Sequence, residues 1–214
     1  MRTKTLPVFV AAILGCCLLL SACDDVKSDI EDVFQQYMSA VAAGDADKII
    51  ALIDPKNLEH YDAVIEAARA SSFGQIEVMT PRERIMIGIL RATMTAADLK
   101  ALDARKLMKL EAQDKMNSFD DDTYEFTLGA VKHHAPRATA DLVVNGESTG
   151  IRVEFVEVEN KWVFNNDCMD DWANKKIHEI AKILHMDESS LIIRIVSRIV
   201  GREVHLDIYS SPPK

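Results

Sequence analysis

The chain has 214 residues, 48% hydrophobic and 28% charged, enough for one packed domain with a single core. Acids outnumber bases 34 to 25. The first 22 residues hold Arg2, Lys4 and no acid, so the rest carries 23 bases against 34 acids, a net charge of −11. An acidic body of this kind repels phosphate backbones and excludes nucleic acid as a natural partner.

The chain opens on a basic start, Arg2 and Lys4, followed by an apolar run from Val8 to Leu20. Thirteen residues of helix reach only about 20 Å, short of the roughly 30 Å of a bilayer core. This is the pattern of an export signal rather than a lasting transmembrane helix. The run ends in Leu20-Ser21-Ala22-Cys23, an aliphatic residue, two small ones and a thiol. That quartet resembles the lipobox of bacterial lipoproteins. The resemblance implies a diacylglycerol on the Cys23 thiol, cleavage before Cys23 by signal peptidase II, and acylation of the new amino group. The covalent lipid is then the only cofactor-like group expected. Multiple acyl chains, at about 0.8 kcal/mol per buried methylene, hold a protein on its membrane.

Asp24 and Asp25 follow the cysteine. In enterobacterial-type lipoproteins an aspartate there marks retention at the inner membrane, so the resemblance implies a lipid-anchored protein on the periplasmic side of that membrane. The outer membrane, or a Gram-positive cell surface, is the alternative. Residues 1–22 read as the signal peptide, 23–27 as a lipidated tether, 28–210 as one α+β domain and 211–214 as a loose tail. Five extended residues span at most roughly 17 Å, which would keep the domain close over the bilayer.

Ser28-Asp29-Ile30-Glu31 reads as a capping box opening a helix with Ile30, Val33, Phe34, Tyr37 and Val41 on one face, and Gly44 ends it. Helices over 45–54 and 56–71 follow, then a short extended stretch, Gln75 to Met79. Thr80-Pro81-Arg82-Glu83 starts another helix, and Thr95 opens one bearing Leu99, Leu102, Leu107 and Leu110. Met79, Met86, Met94, Met108 and Met116 read as core filling, with an adaptable binding surface as the alternative.

From Phe119 the hydrophobic period becomes two. Tyr124, Phe126 and Leu128 share a face; so do Ala138, Ala140, Leu142 and Val144; so do Ile151, Val153 and Phe155; and Trp162 and Phe164 line a last strand. A turn over 132–136, Asn145-Gly146 and Glu159-Asn160 separate them. A helix over 169–185, an apolar segment 188–200 that reads as helix or strand, and a short strand from Val204 to Tyr209 complete the chain. The reading is α+β: N-terminal helices packed on a curved antiparallel sheet of four to five strands, with C-terminal helices. The stretch "VFQQYMSAVAAGDADKIIALID" with this strand order resembles the nuclear transport factor 2-like, or ketosteroid isomerase-like, cone fold. That resemblance implies an apolar interior and, in some members, an inward aspartate that abstracts a proton.

No residue here fills the catalytic part. Glu125, Asp141, Glu154 and Asp207 alternate opposite the apolar faces and are expected in solvent. Cys168 sits among Asp167, Asp170 and Asp171, whose charge suppresses a thiolate. Asp170, Asn174 and His178 share a helical face but read as a solvated ridge rather than a metal site, and His133-His134 as an exposed turn. Arg194, Arg198 and Arg202 recur every four residues against Leu191, Ile192, Ile195, Val196 and Ile199. They read as core-helix arginines paired with the acidic body, or as a contact for anionic lipid or a protein partner. The expected function is a non-catalytic binding module at the membrane, its protein partner or apolar ligand unspecified. A cone-fold enzyme on a small apolar substrate and a lipid or lipoprotein chaperone are the alternatives.

Overall fold

The computed structural model describes residues 9–113 and 124–213, with side chains from Val26 onward except Gln113. The first helix, α1 (Phe9–Ala43), passes through Ser28 without a break, so Ser28–Glu31 is not a helix start. No proline lies between residues 9 and 43, and a helix once nucleated propagates at little cost. Residues 23–27 are therefore helical rather than extended, and Lys27 pairs with Glu31 at 3.8 Å along the helix. Gly44, at φ +66, ends α1. Its missing side chain admits the carbonyl of Ala112, 3.1 Å from where a β-carbon would sit.

Six helices follow: α2 (Ala46–Leu52), α3 (Asn57–Ala70), α4 (Phe73–Glu77), α5 (Pro81–Thr93), α6 (Ala96–Ala101) and α7 (Ala104–Gln113). The expected extended stretch at 75–79 is corrected: Ser72 and Gln75 form a capping box that winds α4. The helix expected from Thr95 onward is two, because the chain breaks at Leu102, whose backbone is extended. Thr80 and Thr95 cap their helices as the sequence predicts, with Glu83 and Asp98 closing the boxes.

The sheet holds β1 (Phe126–Leu128), β2 (Lys132–His134), β3 (Arg137–Val144), β4 (Glu147–Val158) and β5 (Lys161–Asn165). It is antiparallel in the order β1-β3-β4-β5, with β2 also paired to β3. The residues expected to be one turn over 132–136 instead pair with β3 up to His134, and the chain reverses at Ala135-Pro136. Asn145-Gly146 and Glu159-Asn160 both adopt positive φ, the geometry of tight hairpins. A register shift between Asp141 and Val143 adds local twist, and the sheet curls into a half-barrel. After α2, Ile53 bridges to Phe164 and the amide of Asp54 donates to the Phe164 carbonyl at 2.9 Å, covering the β5 edge.

α8 (Asp167–Ile183) crosses the sheet, and α9 (Glu188–Val200) is a helix, settling the alternative the sequence leaves open. The expected strand from Val204 to Tyr209 is instead a single 3-10 turn, Leu206–Tyr209, which carries the Tyr209 ring inward against α5. The fold is thus α+β, helices before and after a curled antiparallel sheet. Among the described residues no helix is long and apolar enough to cross a membrane.

The core is continuous from sheet to helices. Phe34 and Tyr37 of α1 meet Phe164 edge-on at 5.5 and 4.7 Å, and Phe155 lies 5.3 Å from the same ring. Trp172 of α8 stands edge-on to Tyr124 and Phe126 at 5.0 and 5.1 Å. Met86 and Met108 are buried and Met79 and Met94 pack against the core, which makes these methionines filler; Met116 lies outside the described residues.

Candidate functional site

The space that a ligand-binding cone would leave open is filled here. Phe34, Leu142, Val153, Phe155 and Phe164 are fully buried together in one cluster. The acids fall where strand alternation puts them: Glu125, Asp141 and Asp207 are exposed, and Glu154 is half-buried on the outer face, paired with Arg137. None of the four lies in the apolar interior, where desolvation would tune a carboxylate as a base.

Cys168 is a free, buried thiol whose Sγ donates weakly to the carbonyl of Asn165 at 3.8 Å. Burial raises its pKa far above the ordinary thiol value, and Asp171, Asp170 and Asp167 add to this. The sequence identifies the acidic neighbours; the larger cause is burial. Of the Asp170–Asn174–His178 face, His178 stands in solvent as a solvated ridge requires, whereas Asp170 and Asn174 are half-buried and engaged. Asp170 pairs with Arg82, the Asn174 side-chain oxygen accepts from the Arg82 amide at 2.9 Å, and His178 faces Glu188 at 3.6 Å. Among the described residues no group of three or more His, Cys, Asp or Glu side chains is arranged to hold a metal ion.

The arrangement that sequence reasoning missed is a charged junction where α3, α5, α7 and α8 meet. Arg82 sits between Glu111 and Asp170. Tyr61 donates its hydroxyl to the other Glu111 oxygen at 2.8 Å, and His60 stands 3.8 Å from Glu83 and 3.6 Å from Asp170. Burial opposes the charge on Arg82, but Glu111 and then Asp170 outweigh it and hold the guanidinium charged. Burial, then Glu111, keeps the Tyr61 phenol protonated. The cluster ties four helices together, with the buried Nε2 of His60 left without a hydrogen bond. No local motif announces it, because its members come from four separate helices.

The outer surface of the C-terminal helices is different. Where α8 turns into α9, Ile183 and Leu184 stand 74% and 50% exposed, the latter at the α8 C-cap. Beside them lies an open depression of about 470 Å³ lined by His178, Ala181, Lys182, His185, Met186 and Glu188. Arg194 and Arg198 project from α9 into solvent and pair with no described residue, which corrects the expectation that they neutralise the acidic body. Of the acids at the start of α9, Glu188 pairs with Arg84 and Asp187 is the N-cap. Arg202 lies beyond the helix, which ends at Gly201 (φ +72), and donates to the carbonyl of Ala92 at 2.6 Å.

Leu20, Ser21, Ala22 and Cys23, read from the sequence as resembling a lipobox, lie with Asp24 and Asp25 outside the residues whose side chains are described. In comparison with known proteins, no family model matches the chain, no curated protein matches it, and no solved structure matches its fold.

Proposed function

We propose that this chain is a lipid-anchored envelope protein, a non-catalytic binding module held at the periplasmic face of the inner membrane. The observation that carries the second half is the aromatic filling of the sheet, with Phe34, Phe155 and Phe164 occupying the space a substrate would need and the strand acids facing outward. The binding surface is the α8–α9 corner, where large apolar side chains and cationic groups stand together in solvent instead of in the core. The anchor rests on the chemistry of Leu20-Ser21-Ala22-Cys23, and the retention at the inner membrane on Asp24. The helix–Gly44–helix opening before a curled sheet supports kinship with the cone fold, here in a form whose interior is packed rather than hollow.

Metabolic feeding with a clickable palmitate analogue tests the anchor. Wild type is labelled and fractionates with the inner membrane, and Cys23→Ser is neither labelled nor processed. Labelling of both forms, or of neither, overturns it. Turnover of a panel of enolisable ketones or esters by the purified protein overturns the non-catalytic reading.

A further inference from the structure

An anchor at Cys23 would hold the body to a membrane by one end, and the contacts of α1 identify that end. Phe34 meets the Phe164 ring at 5.5 Å, and Tyr37, one turn later, reaches on to hydrogen-bond Asn166 just past the end of β5. α1 and β5 therefore run in the same direction, and the start of α1 lies toward the start of β5. β5 starts from the β4–β5 reversal, Glu159-Asn160, and in this antiparallel sheet the β2–β3 reversal, Ala135-Pro136, lies at the same end. His133 of β2 meets Trp162 of β5 edge-on at 5.6 Å, which joins the two reversals into one edge. From Phe34 back to Cys23 is about 17 Å of helix, and from Phe164 back to Lys161 about 10 Å of strand. Cys23 thus stands only about 7 Å past Lys161, close to the level of the reversals. No slack chain intervenes, because Val26, one turn after Cys23, already packs against the core.

Charge divides this end in two. The first turns of α1 hold Asp24, Asp25, Asp29 and Asp32, with Glu31 paired to Lys27, and repel an anionic surface. The edge beside them differs. No acid occurs between Glu125 and Asp141, a stretch that holds Lys132, His133, His134 and Arg137, and every residue from 132 to 137 is exposed. Arg137 is engaged with Glu154, and the neighbouring reversal adds Lys161 against Glu157 and Glu159. Residues 130–137 and 157–162 together carry three bases and two acids, in a body of 23 bases and 34 acids. β4 is 12 residues long, so the opposite reversal, Asn145-Gly146, lies up to about 40 Å away.

We infer that the edge formed by the β2–β3 and β4–β5 reversals lies on the anionic headgroups of the membrane that holds Cys23. This deepens the anchor reading and rests on it. Lys132 and Lys161 meet the lipid phosphates. Trp162, half-buried beside His133, takes the headgroup depth that suits an indole, apolar on its body and hydrogen-bonding at its tip. Salt screens charges over about 10 Å, and an edge at the level of the anchor sits inside that distance. The occupant is lipid because the protein's own anchor holds a bilayer at this edge, an effective concentration no diffusing partner matches.

The test reconstitutes the full lipidated chain in vesicles of phosphatidylethanolamine and phosphatidylglycerol, with a nitroxide on a fraction of the headgroups. A fluorophore is attached to the new cysteine of Ala135→Cys, at this edge, or of Glu147→Cys, at the opposite reversal; Cys168 is buried and stays unlabelled. The probe at position 135 is expected to be quenched several-fold more than the probe at 147. K132E/K161E lowers the ratio of seated to free edge by roughly tenfold or more, each charge near an anionic surface being worth about fivefold. Thermal melting of K132E/K161E controls for folding, since both side chains are exposed. Equal quenching at the two positions, stronger quenching at 147, or quenching indifferent to K132E/K161E overturns the inference. So does a photoreactive group at position 135 that joins protein and no lipid in intact cells. Each of these outcomes leaves the anchor standing, whereas a Cys23 that carries no lipid in the same preparation discards both.

Discussion

The Tyr209 hydroxyl donates to the carbonyl of Arg84 at 2.8 Å, and the same oxygen lies 2.7 Å from where a β-carbon on Gly88 would be. The last turn of the protein is therefore seated in a notch that a missing side chain leaves on α5. Tyr209 is 1% exposed and Val196 of α9 closes the other side of the notch, 3.0 Å from that β-carbon position. The close approach, more than any backbone conformation, requires the glycine.

Gly88→Ala is expected to lower stability by about 1–3 kcal/mol, the scale of overpacking a filled core. Alanine is otherwise the better helix former, so a net loss isolates the steric conflict. In a double-mutant cycle, Tyr209→Phe removes the conflicting oxygen and makes the pair less destabilising than the sum of the single changes. Urea unfolding of the four forms measures it; strict additivity would mean that the two residues do not meet.

Breaking the junction at Glu111 is expected to cost about 3–5 kcal/mol, because Glu111→Ala deprives Arg82 of one carboxylate and orphans the Tyr61 hydroxyl. Replacing Arg82 and Glu111 together by Met and Leu recovers only part of that loss, since Asp170 is then left with His60 as its one neighbour in the junction. Chemical denaturation of the single and double variants distinguishes this from a surface ion pair, whose removal would cost under about 1 kcal/mol.

At high pH the protein is expected to lose stability through its buried phenols. Burial pushes Tyr209 up to about 12, only partly offset by Arg84 and Arg91. The folded state thus holds its proton more tightly than the unfolded chain, where tyrosine titrates near 10. This contribution is intact below about 10 and disappears as pH rises from about 10 to 12. The denaturation midpoint, followed between pH 8 and 12, falls in this window, and Tyr209→Phe shows a shallower fall from a lower starting stability.

At low pH the opposite sign applies to the N-cap of α9. The side chain and amide of Ser190 hold Asp187 below the usual carboxylate range. Stability from this cap is present above the unfolded value of about 3.9 and is lost as pH falls through it toward the folded one. Asp187→Asn keeps an acceptor for the Ser190 amide and is expected to remove this dependence. Hydrogen exchange of the first turn of α9 at pH 3 and 6 reports it directly.

Most elements were legible because their signals are local. Thr80-Pro81 with Glu83, Asn145-Gly146 and the alternation through Ala138 to Val144 each state a backbone preference within a few residues, and the structure adopts them. The errors came where local signals are weak or compete. The Ser28–Glu31 box is swallowed by a helix already running, and residues 75–77 wind into α4 despite reading as extended. At Val204–Tyr209 an alternating pattern turns inward because a notch, not a sheet edge, awaits it.

The sequence alone determined the number and kind of most elements and the outward placement of the strand acids, both of which depend on neighbours in the chain. Only the tertiary structure decided that Arg82, Glu111 and Asp170 share one junction while Arg194 and Arg198 stand unpaired. Whether a charge finds its counterpart depends on which helices are packed together, and residues 29 and 59 positions apart carry no mark of that in the order of the chain.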